Sequence, residues 1–358
     1  MQRICQLILF LLLAALTACG KPLLHQQESF VFGTRVEILI AGVDEAKARP
    51  AANAVLAEFD RLHRTYHAWR PSELSQLNTS IAAGKPAEVS EEMARILADA
   101  QRLSALGEGL FDPGIGQLIR LWGFQSDEFK AALPPTAAIA AWRKAHPGMG
   151  DLNIKNRLVS SRNPAVAIDL GGYLKGYALD RAAYVLHEHA IGNALINIGG
   201  NIMALGSKNG EAWRVGIQHP RQPGPLAILS LGDGEAIGTS GDYQRYFELD
   251  GQRYCHLLDP RSGTPIQHSQ AVSVLITPRA AAGTLSDAAS KPLLISGEDW
   301  PRLARQFNID HVLHIDAKGR IQVSEPLSRR LEFTGGRPAD MEILPANSPP
   351  SAGNRGIP

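Results

Sequence analysis

Cysteine is nearly missing from this chain. Three occur in 358 residues, and two of these, Cys5 and Cys19, sit in a leader-like N-terminus. Cys255 alone remains in the body, so no internal disulfide staples the fold and zinc sites built on several cysteines are excluded. Aromatic residues are also scarce, at 6%. Basic residues are dispersed rather than gathered into a stripe with aromatics between them, which argues against nucleic acid as a partner. Neither sign of charge dominates: 36 Lys and Arg face 35 Asp and Glu, a formal net charge of +1. Past the N-terminus there is no long apolar run, so no membrane-spanning helix is expected in the body.

What is present begins at the N-terminus. Arg3 supplies a positive start, residues 4–15 are largely apolar, and Leu16-Thr-Ala-Cys19-Gly20 follows. That order is similar to a bacterial lipobox, in which the cysteine receives a diacylglyceryl group and becomes the first residue after cleavage. It predicts a signal peptide over 1–18, a lipidated Cys19, an anchor linker over 19–29 and a protein on the periplasmic face of a bacterial membrane. The body then reads as one domain over 30–335. A tail over 336–358, rich in Pro, Gly, Ser and Asn, is expected to be disordered.

Hydrophobic periodicity predicts helices over 45–65, 91–106, 136–146, 175–189 and 300–307, and another from about 283. Strands are expected over 30–40, 152–154, 158–160, 165–170, 194–198, 202–204, 213–217, 226–231, 235–239, 244–249, 253–258, 271–276 and 312–315. Several strands run consecutively without a helix between them. The fold class is therefore α+β with mainly antiparallel sheet, not a doubly wound parallel fold.

The most informative stretch is Asp169-Leu-Gly-Gly-Tyr-Leu-Lys175-Gly-Tyr-Ala-Leu-Asp180. A strand-like run, a glycine pair and a helix start with a lysine form a recipe for binding phosphate: glycines admit close backbone approach, and free N–H groups and the helix dipole favour an anion. Taken alone, the same string also describes an ordinary tight turn with a solvated lysine. Ile196-Asn-Ile-Gly-Gly-Asn201 reads either as a hairpin turn or as backbone that a ligand approaches. In His256-Leu-Leu-Asp259-Pro-Arg, a histidine at a strand end can serve as general base or simply bond to backbone. His63 and His67 share a helix face, which suits either a metal or a solvated helix end.

These motifs occur in an order that resembles the FAD:protein FMN transferase (ApbE) family. The resemblance is carried by Asp169 to Asp180, the Asn197-Ile-Gly-Gly-Asn201 turn, Ser240-Gly-Asp-Tyr-Gln-Arg-Tyr-Phe247 and His256-Leu-Leu-Asp-Pro-Arg-Ser-Gly-Thr-Pro265. Upstream it includes Phe32-Gly-Thr34, Pro71 to Leu74 with Leu77-Asn78, Gly109 to Gly116, and Leu121-Trp-Gly-Phe124. It implies an enzyme that splits FAD at its diphosphate, joins FMN to a Thr or Ser hydroxyl of an acceptor subunit of a membrane redox complex, and releases AMP. By the same resemblance Asp169 and Lys175 contact FAD. Phe32, Trp69, Leu110, Phe111, Asp112 and Leu257 line its pocket. His256 is the base with Asp259 near it, and Lys175 takes part in catalysis. Magnesium (Mg2+) is held by the Gly172 carbonyl and Asp287.

One position departs from the family pattern. Where a metal-binding threonine is expected, four residues after Asp287, this chain has Lys291, followed by Pro292. An ammonium does not coordinate magnesium, which takes oxygen ligands. Three outcomes follow: Ser286 or Ser290 substitutes as ligand, the metal site is weakened, or Lys291 stands in for the cation. Beside the transferase stand two other readings, an FAD-binding or FAD-hydrolysing lipoprotein with impaired transfer, and a periplasmic solute-binding lipoprotein. The last would need a strand–helix alternation that the sequence does not show.

Overall fold

A computed structural model describes residues 23–126, 128 and 130–345. Cys19 and the signal-peptide segment lie outside the described residues. At the centre is a nine-stranded sheet. Its spatial order is Leu24–Val31, Thr34–Ala41, Ala194–Ile198, Asn201–Leu205, Ala236–Gly241, Ser269–Ile276, His311–Asp316, Ile321–Ser324 and Glu342–Leu344. Neighbours pair antiparallel throughout except the last two, which run parallel. The fold is α+β and mainly antiparallel, as the run of consecutive strands implies.

Side chains alternate across the sheet because successive residues of a strand face opposite ways. Val36, Ile38 and Ile40 enter the larger core, with Val272, Val274 and Ile276 from the strand Ser269–Ile276. Ala41, Ala271, Leu275, Leu313 and Ile315 enter a second core on the opposite face, closed by Trp213, Val215, Leu229 and Leu231. Those last four come from a small sheet of Trp213–Gln218, Pro225–Leu231 and Leu331–Phe333. Helices cover the first face. Glu45–Thr65 buries Ala51, Val55, Phe59 and Leu62 on one stripe, with Asp44 accepting the Lys47 N–H as its N-cap. Glu91–Leu106 does the same with Met93, Leu97, Ala100 and Leu103 under a Ser90 cap.

Two more helices on this face position the site. Leu174–Glu188 begins directly after the Gly171-Gly172 turn, and Ala282–Ile295 packs against it. They touch backbone to backbone. A Cβ on Gly176 would lie 2.3 Å from the Gly283 carbonyl oxygen, and one on Gly283 would lie 2.6 Å from that of Gly176. Ala282–Ile295 has no cap of its own. Asp180 of the neighbouring helix supplies one, accepting from the Gly283 N–H (2.8 Å), the Thr284 N–H (2.8 Å) and the Thr284 hydroxyl (2.6 Å). Burial raises the Asp180 pKa while these three bonds oppose the rise.

Several boundaries differ from the sequence reading. The strand expected over 30–40 is two strands, Leu24–Val31 and Thr34–Ala41, joined by a two-residue turn at Phe32-Gly33. Six residues assigned to the linker, 24–29, therefore lie in the sheet. The expected tail contributes the strand Glu342–Leu344, because Ile321–Ser324 offers it an open edge. A helix not foreseen, Glu73–Ala82, starts at Ser72 with a reciprocal capping box and buries Leu74, Leu77 and Ile81. Residues 165–170 form no regular strand. Their backbone groups pair instead with the 113–116 segment and with the Asn78 amide, which accepts from Ile168 N (2.7 Å) and donates to Ile168 O (2.9 Å). Pro292 lies inside the helix Ala282–Ile295.

Candidate functional site

The Gly171-Gly172 turn, the start of Leu174–Glu188 and the middle of Ala282–Ile295 meet at Asp287. Its carboxylate is fully buried. Oδ2 accepts the Gly176 N–H at 2.9 Å. Oδ1 pairs with the Lys291 ammonium, one helical turn on, and that ammonium also donates to the Asp287 carbonyl at 2.7 Å. Lys175 Nζ stands 4.0 Å from the same Oδ1. Burial alone would raise the Asp287 pKa. Lys175, Lys291 and the Gly176 N–H outweigh it and hold the carboxyl below its usual range. Burial also pulls the Lys291 ammonium down, to about 8, against the attraction of Asp287. The cluster thus sets two lysines around one carboxylate.

Gly172 lies beside this cluster. A Cβ there would be 3.3 Å from Lys291 Cε and 3.6 Å from the Phe111 ring. The bare backbone of the turn therefore makes room for the lysine stem. Asp169 shapes the same turn, accepting from Gly171 N (2.9 Å) and from the Gln125 amide (3.1 Å). Leu110 and Phe111 are buried in the main core.

His256 approaches from another direction, on the segment between Gln252–Cys255 and Leu258–Asp259. Its Nδ1 lies 3.1 Å from the Arg245 carbonyl oxygen. A carbonyl only accepts, so Nδ1 carries the proton and Nε2 of the neutral ring has the lone pair. Phe124 packs edge-on to the imidazole. Burial first, then the positive charges of Arg245, Lys175 and Lys291, pull its pKa down to about 3. The ring is neutral at physiological pH and stands within the field of both site lysines.

Other residues singled out by sequence have different surroundings. The Asp259 carboxylate turns to Arg261, at 2.8 Å, within its own β-turn. Asp112 accepts from the backbone N–H of Gly114 (2.7 Å) and Met149 (2.9 Å), so it fastens one loop to another. Burial raises its pKa to about 6. Leu257 is buried and its carbonyl accepts the Ile266 N–H. Phe32 occupies a left-handed backbone conformation, φ +57°, which is costly for a bulky side chain. Its ring starts an aromatic series through His63 and His67 to Trp69, with centroid spacings of 5.7, 5.0 and 4.5 Å. Trp69 ends the series 38% exposed. Among the described residues no group of three or more His, Cys, Asp or Glu side chains converges as a metal cluster.

The donor set at Asp287 does not fit magnesium, which demands near-octahedral oxygen coordination. The ammonium of Lys291 sits on the carboxylate. The Ser286 hydroxyl donates to the Gly283 carbonyl, and the Ser290 hydroxyl lies between the Asp287 carbonyl and the Ser240 hydroxyl, so the ammonium and not a hydroxyl is what meets the carboxylate.

A glycine turn at a helix start, a lysine pair around a buried carboxylate and a neutral histidine are thus set in an α+β fold. The ApbE family model matches residues 32–313, and the chain belongs to that family. It is 41% identical over 317 residues to an FAD:protein FMN transferase of Rhodobacter capsulatus, covering 88% of this chain. The chain spans 60% of that relative's length. An FAD:protein FMN transferase of Klebsiella pneumoniae is 34% identical, over 69% of this chain and 72% of its own. Among solved structures, the ApbE protein of Thermotoga maritima superposes with a TM-score of 0.78 at 31% identity, covering 86% of this chain and 99% of its own.

Sequence reasoning singles out Lys175, Asp287, Lys291 and His256, which the structure places near one another, but assigns no role to Asp180, Asn78, Gln125 or Arg245. Asp180 ends the glycine-turn motif, and its spacing of four from Gly176 places both on the face that meets the second helix. Arg245 acts through its backbone carbonyl, which no residue type announces.

Proposed function

We infer that this protein is an FAD:protein FMN transferase: it takes FMN from FAD and joins it through a phosphoester to a Thr or Ser hydroxyl of an acceptor protein. The observation that carries this reading is the convergence of two lysines and one neutral, base-ready histidine beside a glycine turn at a helix N-terminus. Phosphoryl transfer asks a protein chiefly for positioning and charge neutralisation.

The diphosphate lies against the turn, its charge met by Lys175 and by the positive end of the Leu174–Glu188 helix dipole. The acceptor hydroxyl attacks the FMN-side phosphorus. The bond from that phosphorus to the bridging oxygen breaks, AMP leaves with the electron pair, and the hydroxyl proton passes to Nε2 of His256. A neutral imidazole held by Arg245 is already in the tautomer that this requires. Asp287 orients the lysines. Asp259 and Asp112 act through loop geometry.

The acceptor is a subunit of a membrane redox complex, and the protein works from the periplasmic face, anchored through lipid on Cys19. The order of charge, apolar run and small residues before Cys19 supports this placement. The test is direct. Purified protein, FAD and a peptide bearing the acceptor hydroxyl give a peptide heavier by one FMN less water, with one free AMP released per label. FMN and AMP appearing with no labelled peptide would identify a hydrolase instead. Cys19→Ser releases the protein from the membrane fraction; unchanged partitioning would remove the anchor.

A further inference from the structure

We propose that the Lys291 ammonium takes the place of a divalent cation in this site and binds the FAD diphosphate together with Lys175. The inference rests on FAD being the substrate, and it adds how this chain neutralises the substrate's charge.

Geometry fixes where the ammonium is. Lys291 follows Asp287 by one helical turn and grips both its side chain and its carbonyl, so its head is held at two points. Its stem runs along Gly172, where a Cβ would come 3.3 Å from Cε and 3.8 Å from Cδ. The head is thereby delivered to the glycine turn that receives the phosphates. An ammonium has three N–H directions. Two are used on Asp287, which leaves a third for a phosphate oxygen. The Lys291 side chain keeps 12% of its surface open while Asp287 keeps none, so a ligand meets the lysine and not the carboxylate. Both carboxylate oxygens of Asp287 that could have drawn a metal here are taken, one by Lys291 and the other by the Gly176 N–H. Lys175, Lys291 and Asp287 together carry one net positive charge, fixed in place before the substrate arrives.

Equilibrium FAD titration of the full-length protein, read by flavin fluorescence, tests this with magnesium and with chelator. Wild type binds FAD with affinities that agree within about 2-fold in the two conditions. Lys291→Met weakens binding by about 10-fold or more, the worth of one charge-assisted hydrogen bond to phosphate, and magnesium does not restore it. Lys291→Thr, which supplies an oxygen in place of the ammonium, binds weakly in chelator and regains about 10-fold in magnesium. A wild type whose affinity falls about 10-fold or more in chelator overturns the inference and leaves the transferase reading standing. A wild type that binds no FAD in either condition overturns both. The wild-type comparison decides the matter even if a variant fails to fold.

Discussion

The two sides of the site are built by opposite means. On one side, two helices meet at Gly176 and Gly283 with no side chain between them, and each helix serves the other. Asp180 of the first caps the second, and Asp287 of the second accepts the Gly176 N–H of the first. Asp180 and Asp287 there are each held by several bonds, and Lys291 by two. On the other side, His256 stands in a short segment between strands, fixed by one side-chain bond to a carbonyl and by the flank of Phe124. The first side needs fixed charge, which low-mobility, bonded groups supply without reorganising when a phosphate arrives. In the proposed reaction the second takes up and gives back a proton through the neutral imidazole. The comparison teaches that binding and chemistry are separable here, so substitutions on the two sides should fail differently.

The largest effect on folding is expected at the helix contact. Gly176→Ala drives a methyl to 2.3 Å from a backbone oxygen that cannot move alone. A loss of about 3 kcal/mol or more follows. Urea denaturation measures it, and a loss under about 1 kcal/mol would mean that the helices are not locked together. Asp180→Ala comes next. It removes the only side-chain cap on Ala282–Ile295 among the described residues and leaves three donors unmet. About 2 kcal/mol is expected by the same measurement.

The third prediction is a pH dependence. The folded His256 pKa is about 3, against an ordinary value of 6.5. The unfolded chain therefore binds a proton first as pH falls. The stability associated with the neutral ring is complete above 6.5 and is lost as pH drops toward 3. His314, lowered to about 4 by burial, acts in the same direction. Asp112, raised to about 6, acts in the opposite one, gaining stability as pH falls through that value. The difference between wild type and His256→Gln isolates the first group. Denaturation at pH 7 and pH 4.5 should show the wild type losing on the order of 2 kcal/mol more than the variant. Parallel losses would place His256 in ordinary solvent contact.

The smallest effect is expected at Asp259. Its carboxylate holds Arg261, not His256. Asp259→Asn should change the transfer rate by no more than about 3-fold, because removing an exposed-side ion pair costs little. A loss of about 100-fold, the range of acid–base participation, would return Asp259 to the catalytic group.

Much of this was legible in the sequence, because local rules and tertiary packing agree where helices carry strong stripes. Ala51, Val55, Phe59 and Leu62 announce Glu45–Thr65, and consecutive strands announce an antiparallel sheet. Ser72 with Leu74, Leu77 and Ile81 carried an equally regular signal that the apolar pattern of its neighbours obscured. The turn at Phe32-Gly33 was hidden because a phenylalanine is rarely found at positive φ. Lys291 stands out in the sequence as a departure beside Asp287, and the helix that runs continuously through Pro292 sets the register in which the two pair. The roles of Asn78 and of the Arg245 carbonyl depend on contacts between distant segments, which no local pattern encodes.

The separation of binding from chemistry is tested most directly by His256→Ala, measured twice on one preparation: FAD affinity by equilibrium titration and FMN transfer to an acceptor peptide in a single turnover. The expected FAD affinity is within about 3-fold of wild type and the expected transfer rate is lower by about 100-fold to 10,000-fold, the contribution of general base catalysis. A variant that loses affinity and rate in equal measure, or one that transfers FMN at the wild-type rate, would contradict it.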